Sequence, residues 1–447
     1  MRILIVSGYF PPFAPMSGVR AGKLAKYLLG RGHDVRVLCA KNLPYPPLLP
    51  LEIPENKVCY ADWLDVNALP KRVASFRNRH RGTPAGAENG GKSSSSPDNE
   101  RPTGGRSGLA LVLDRLRVLY TDATNWPDAQ IGWLPYAVSD GSKLLKEWRA
   151  DLIYATAPPL TGLLVARRLA RRFDIPWIAE FRDLWVDHPY YDAPTWRRLL
   201  ERMQERRILD SAGGLVTVSD PWREILETRF HKPAITVLNG FDPDDYPSQP
   251  AEIGKTQSIS ILYTGTLYPG RRDPTPLFNA VARLGDRASA IRMQFYGADP
   301  ASVMQLAEKA GVTAQVEVSP PVGYRRVVEL QRAADILLML RWSDPSELGV
   351  VPGKLFEYIG ARRPILCLGF DQGAVPDIIR SRNLGVISEN PDEIAAALRG
   401  WLDQKRTDGQ IEPMPIDARA GLSRSDQFEI LETFMERMRA ADRSAAR

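Results

Sequence analysis

The sequence predicts an α/β protein made of two doubly wound, parallel-sheet domains. Short β-rich apolar runs alternate with amphipathic helical stretches almost throughout, the pattern of consecutive βαβ units. About six runs fall in each half, enough for one such sheet apiece. The length of 447 residues agrees, since domains of about 150 residues would number two to three.

The first half offers strands at ILIV (3–6), VRVLC (35–39), LIYA (152–155), WIAE (177–180), LVTV (215–218) and ITVL (235–238). The second offers ISILY (259–263), RMQFY (292–296), QVEV (315–318), DILLML (335–340), PILCL (364–368) and GVI (385–387). Helices are expected over 18–31, 160–173, 274–284, 300–310, 323–334 and 391–403, which are amphipathic. Residues 82–108 break the pattern. They are rich in Gly, Ser and Pro, lack large apolar groups, and read as a disordered insertion in the first domain. The polar, proline-rich PDDYPSQPAEIGK marks the boundary. The expected division is a first domain over 1–245, a second over 246–420, and a terminal amphipathic helix over 421–447. Phe428, Leu431, Met435 and Met438 lie on one face of that helix. It must pack on something, with the first domain as one candidate.

Composition narrows the class. The chain is 44% hydrophobic and 25% charged, an ordinary globular balance. Three cysteines without a CxxC spacing argue against a disulfide framework or structural zinc and suit a reducing compartment. A net charge of +6 fits an anionic substrate or an acidic membrane surface and is too weak to imply nucleic acid. MRILIVSGYF reads as a first strand and not a signal peptide. No apolar stretch approaches the ~20 residues of a membrane span. The expectation is a cytoplasmic protein, soluble or peripheral on a membrane.

Several motifs fail their own chemistry. GVRAGKL from Gly18 and GVVPGKL from Gly349 resemble phosphate loops, but each has three residues before GK and then Leu. A Walker A loop needs four, and then Ser or Thr for magnesium. No GxGxxG follows a strand, which weakens an NAD or FAD reading. Asp242-Pro243-Asp244 has the spacing of a metal-binding pair but reads as a turn. No metal and no cofactor are expected. His33, His80, His188 and His231 stand in no nucleophile-elbow context.

Three segments carry chemistry. In VSGYFPPFAPMSGVRAGKL, Gly18 opens a helix whose first N–H groups would be free to face an anion. Arg20 and Lys23 put positive charge where the helix dipole disfavours it. A bound phosphate or carboxylate would resolve that conflict, and a plain βα turn is the other reading. In AEFRDLWVDHPYYDAPTW, Arg182, Asp183 and His188 follow a strand's carboxyl end, where α/β proteins bind ligands. The other reading there is an Arg-Asp pair capping a loop. In RWSDPSELGVVPGKLFEYIGARRPILCLG, a Gly/Pro-rich loop leads into a helix with Lys354 and Glu357 on one face. Lys354 would meet a diphosphate and Glu357 would accept ribose hydroxyls. A simple surface ion pair is the alternative.

These segments, in this order, resemble the retaining GT-B glycosyltransferases of family 4, which build bacterial polysaccharides and lipid-linked sugars. The resemblance covers nearly the whole chain apart from 82–108. SGYFPPFAPMSGVRAGKLAKYLLGRGHDVRVL is similar to the family's first βαβ with its glycine loop. PPLTGLLVARRLARRFDIPWIAEFRDLW, VLNGFDPDDY, YTGTLYPGRRD and GKLFEYIGARRPIL are similar to later family elements. The resemblance implies two Rossmann-like domains facing a central cleft. It implies a donor site with Gly265, Arg271, Arg272, Glu347, Gly349, Lys354 and Glu357. It implies an acceptor or phosphate side with Gly18, Arg182, Asp183 and His188. The implied partners are a nucleotide-diphosphate sugar of UDP or GDP type and a lipid-linked or polysaccharide acceptor, with an anionic membrane surface nearby.

The chain also departs from the family. The first Glu of the Glu-seven-residues-Glu motif falls on Gly349, with Glu347 two residues early. Thr266 replaces a basic residue, and Thr156 stands where many members carry a histidine. No catalytic base is therefore assigned. A nucleotide-sugar epimerase on the same fold, or a non-catalytic nucleotide-sugar-binding member of an assembly complex, remain as rivals.

Overall fold

The computed structural model describes residues 1–47, 49–68, 120–121, 124–191, 193–246, 257–268 and 270–445. The insertion expected at 82–108 lies outside them, as does most of the boundary stretch. The chain forms two compact units. The first comprises Met1–Val218, Trp222–Thr236 and Ile430–Arg447, and the second Ser219–Pro221 and Val237–Glu429.

The first unit holds a seven-stranded sheet, ordered β3-β2-β1-β4-β5-β6-β7. Its strands are β1 (Arg2–Ser7), β2 (Asp34–Ala40), β3 (Val58–Ala61), β4 (Leu152–Ala157), β5 (Trp177–Phe181), β6 (Gly214–Thr217) and β7 (Ala234–Thr236). Every pairing is parallel. The sequence reading missed β3. It is VCYA at the sheet edge, four apolar residues between Lys57 and Asp62, a run too short to show a period.

The second unit holds a six-stranded sheet, ordered β10-β9-β8-β11-β12-β13. These are β8 (Ile259–Thr264), β9 (Ile291–Tyr296), β10 (Val316–Ser319), β11 (Ile336–Leu340), β12 (Ile365–Leu368) and β13 (Gly385–Ile387), again all parallel. The twelve apolar runs read from the sequence are thus twelve of the thirteen strands. They are continuous because both sheet faces are covered. Ile261, Tyr263, Ile336, Leu338 and Leu340 pack on one face. Leu262, Leu337 and Met339 pack on the other, as strand alternation requires.

The last helix spans Arg424–Ala445. Its residues from Ile430 complete the first unit. Phe434 fills the space beside Gly214, where an added Cβ would lie 2.6 Å from the ring. Glu432 accepts hydrogen bonds from Tyr27 Oη at 3.0 Å and Arg31 Nε at 3.1 Å, and lies 2.7 Å from His33 Nε2. The carboxylate is held below its usual range: burial opposes this, but the bonds to His33 and Tyr27 and the Arg31 charge outweigh it. Among the described residues, no helix is long and apolar enough to cross a membrane.

Candidate active site

In each sheet the strand order reverses once, and ligands of open α/β sheets bind beyond the carboxyl ends at such a point. In the first unit the reversal lies between β1 and β4. Gly8, just past β1, approaches the loop after β4 so closely that a Cβ would lie 2.3 Å from Pro159 Cγ.

The helix Val19–Gly30 starts there, and its opening differs from the sequence expectation. The Gly18 N–H bonds Pro15 O at 2.8 Å and the Val19 N–H bonds Met16 O, closing a 3₁₀ turn. These donors are therefore not free for an anion. Gly18 is buried, and a Cβ would lie 2.7 Å from Ala14 Cβ, so packing requires the glycine. The two cations also have partners within the chain. Arg20 Nη2 lies 2.7 Å from Glu180 Oε1, with the residues 6% and 1% exposed. Lys23 Nζ lies 2.8 Å from Glu52. Carboxylates of this chain resolve the conflict that an external anion was expected to resolve.

Arg182, after β5, donates from Nη2 to Pro158 O at 2.7 Å, from Nε to Ala157 O at 3.3 Å, and from Nη1 to Ser17 O. It ties three segments at the strand ends together. Asp183 is exposed, and its carboxylate lies 3.6 Å from His188 Nε2. The Tyr190 N–H donates to His188 Nδ1 at 3.2 Å.

In the second unit the reversal lies between β8 and β11. Gly265 follows β8 with φ +128°, and a Cβ there would lie 2.5 Å from Lys354 Nζ. The missing side chain makes room for the lysine. Lys354 stands in the first turn of the helix Gly353–Ala361, which has no side-chain cap. Its ammonium lies 4.3 Å from the Tyr263 ring centroid. Burial and the nearby Arg272 charge lower its pKa to about 7, against the opposing pull of Glu357. Arg272 covers the Tyr268 ring at 4.7 Å and Arg271 the Trp342 ring at 5.0 Å.

Lys354 and Glu357 form no ion pair. Glu357 instead accepts from Gln331 Nε2 at 2.8 Å, and Gln331 Oε1 accepts from Tyr246 Oη at 2.7 Å. Gln331 is fully buried, so this chain of bonds sets the carboxylate's direction. Sequence reading missed Gln331 and Tyr246, because neither has a local signal and the two are 85 positions apart.

Arg341, at the end of β11, was also missed. It is buried, donates from Nη2 to Glu347 O at 2.9 Å, bonds Phe370 O, and its Nε lies 3.6 Å from Glu347 Oε2. Glu347 is only 2% exposed. Gly349 ends the 3₁₀ turn Pro345–Gly349 and is buried as well. The structure therefore brings Gly265, Arg272, Lys354 and Glu357 together and holds Glu347 inside, on Arg341. Asp242 Oδ1 accepts the Asp244 N–H at 3.1 Å, which is the turn reading of Asp242-Pro243-Asp244.

Residues 17–240 match the family described as "Glycosyl transferase 4-like domain", half of the chain. The chain belongs to this family. Residues 258–404 of the glycosyltransferase match "Glycosyl transferases group 1". Among solved structures, HepE of Anabaena in complex with UDP is similar at TM-score 0.60 and 13% identity, over 97% of this chain and 99% of that one. A glycosyltransferase from Rickettsia africae is similar at TM-score 0.57 and 12% identity, over 98% of each chain. Sucrose-phosphate synthase from Thermosynechococcus elongatus is similar at TM-score 0.53 and 13% identity, over 100% and 98%. The two parallel-sheet units are thus those of a GT-B glycosyltransferase. No curated protein matches the sequence.

Proposed function

We propose that this glycosyltransferase moves a sugar, with retention of configuration, from a nucleotide-diphosphate sugar to a lipid-linked saccharide or surface polysaccharide. The observation that carries the reading is the cluster of Gly265, Arg272, Lys354 and Glu357 at the strand-order reversal of the second sheet. Cations beside an uncapped helix start suit a diphosphate, and a carboxylate one turn on suits the two ribose hydroxyls. HepE, similar in fold, has been solved with UDP-glucose, which supports the same donor class here.

Chemistry then follows from charge. Breaking the glycosidic bond leaves negative charge on the departing diphosphate. Lys354, Arg272 and Arg271 would stabilise it without a metal, and losing one such contact typically costs about 10²- to 10³-fold in rate. On the first unit, Arg182 would keep the acceptor-side loops in place, with Asp183 at the surface, His188 mostly buried beside it and Gly18 packed behind. An acceptor on a lipid carrier would put the enzyme at the inner face of a membrane.

Thermal shift with UDP, GDP, ADP, CMP and dTDP tests the donor site. One nucleotide should stabilise the wild type by about 2.7 kcal/mol at a hundred times its Kd. Glu357→Ala should lose that shift. No shift in the wild type would refute the site. A second reading, binding without transfer, draws on Gly349 at the first motif position and on the burial of Glu347. A nucleotide-induced shift without release of free nucleotide from a panel of donors and acceptors would favour it. Release of an altered donor sugar without acceptor would favour an epimerase.

A further inference from the structure

The helix Thr195–Leu209 is inside out for a surface in water. Trp196, Leu199, Leu200 and Met203 are 56%, 55%, 47% and 54% exposed. Their spacing of three, four and seven puts them on one face. The buried face carries Glu201 and Glu205 along with Ile208 and Leu209. Glu201 is satisfied by Arg197 Nε at 2.9 Å and by the Tyr191 hydroxyl. Burial, with the Glu201 charge beside it, pushes the Glu205 carboxyl up to about 8, against the Arg202 charge. A helix that hides its acids and shows Trp, Leu and Met presents a partner-seeking face.

Charge identifies the partner. Arg206 and Arg207 continue the exposed face and make no ion pair among the described residues. The neighbouring helix Thr161–Phe173 shows Arg168, Arg171 and Arg172 to solvent. Two copies of this chain meeting here would oppose like charges. An apolar stripe beside exposed arginines instead matches an anionic bilayer, where apolar side chains enter the acyl boundary and arginines meet phosphates.

We infer that the Trp196–Leu199–Leu200–Met203 face, flanked by Arg206 and Arg207, is a docking surface for an anionic lipid membrane. It gives the proposed lipid-linked acceptor a place to be met, yet it stands or falls separately from the donor site.

The test is co-sedimentation of the full chain with vesicles of phosphatidylcholine alone or mixed with phosphatidylglycerol. The wild type should bind only the mixed vesicles and dissociate in high salt. Arg206→Gln with Arg207→Gln should weaken binding roughly fivefold per arginine. Leu199→Gln with Met203→Gln should abolish it. Brominated lipid should quench tryptophan emission, and Trp196→Phe should remove part of that quenching. All these side chains are exposed, so the variants should keep the wild-type circular dichroism and any nucleotide-induced thermal shift. Wild-type binding by the apolar variant, or no vesicle binding by the wild type, would overturn the inference. So would concentration-dependent self-association lost in Leu199→Gln, which would make the face an interface between copies. A failed nucleotide shift with intact vesicle binding would leave the inference standing and refute only the donor site.

Discussion

Lys354 sits in a helix's first turn with its ammonium over the Tyr263 ring and no carboxylate in contact. With a pKa near 7 it is about half protonated at neutral pH. A diphosphate beside it would favour the charged form and raise that value. Nucleotide binding should therefore take up a proton around neutral pH, and affinity should fall as pH rises past about 7. Calorimetry in buffers of different ionisation enthalpy measures the uptake directly. Lys354→Met should bind more weakly and lose the uptake. Equal uptake in the variant would assign the proton to another group.

At the scale of elements, one buried ion pair ties the helix Val19–Gly30 to β5. Glu180 keeps its pKa below the usual carboxylate value, because the charges of Arg20 and Arg182 outweigh its burial. The resulting stabilisation is complete above the ordinary carboxylate value and is lost as pH falls from there through the lowered value of the folded state. Arg20→Met should cost about 3–5 kcal/mol, since it strands a buried carboxylate. Urea unfolding would show it, and Arg20→Met with Glu180→Leu should recover much of the loss. The same pair shows where sequence reading stops. Strands announce themselves locally, so twelve runs were legible and only the short edge strand β3 was not. Arg20 in a first turn was also legible as an anomaly. Its partner, 160 positions away, was not, which left a bound anion and a plain βα turn as the two readings. Lys354 and Glu357 could be read from a loop and helix motif, and Gly265 from the family resemblance. Gln331, Tyr246 and Arg341 could not, because their roles exist only after the chain has folded.

For the whole molecule, the first unit is assembled from both ends of the chain. Leu431, Phe434 and Met435 of the last helix are buried to 2% exposure or less. Arg439 pairs with Asp151 at 3.2 Å, and the other oxygen of Asp151 accepts the Arg2 N–H at 2.8 Å. Truncation after Glu429 removes all of these contacts. A single large buried side chain is worth about 3–5 kcal/mol, comparable to the stability of a whole domain. Scanning calorimetry should show the first unit's transition lost or shifted far down, with the second unit's kept. Coincident loss of both would show that they unfold together.

The second unit, Ser219–Pro221 with Val237–Glu429, is thus inserted within the first. On a ribosome the amino terminus emerges first, and domains generally fold in that order. Here the order of completion is reversed. The inserted unit has its whole sequence once Glu429 has emerged, while the unit that began at Met1 still lacks its closing helix. A chain stopped after Glu429 would therefore carry a finished second unit and an incomplete first one, with Gly214 at the start of β6 bare of Phe434. Quality control would meet that species whenever synthesis stops between Glu429 and the buried residues of the closing helix.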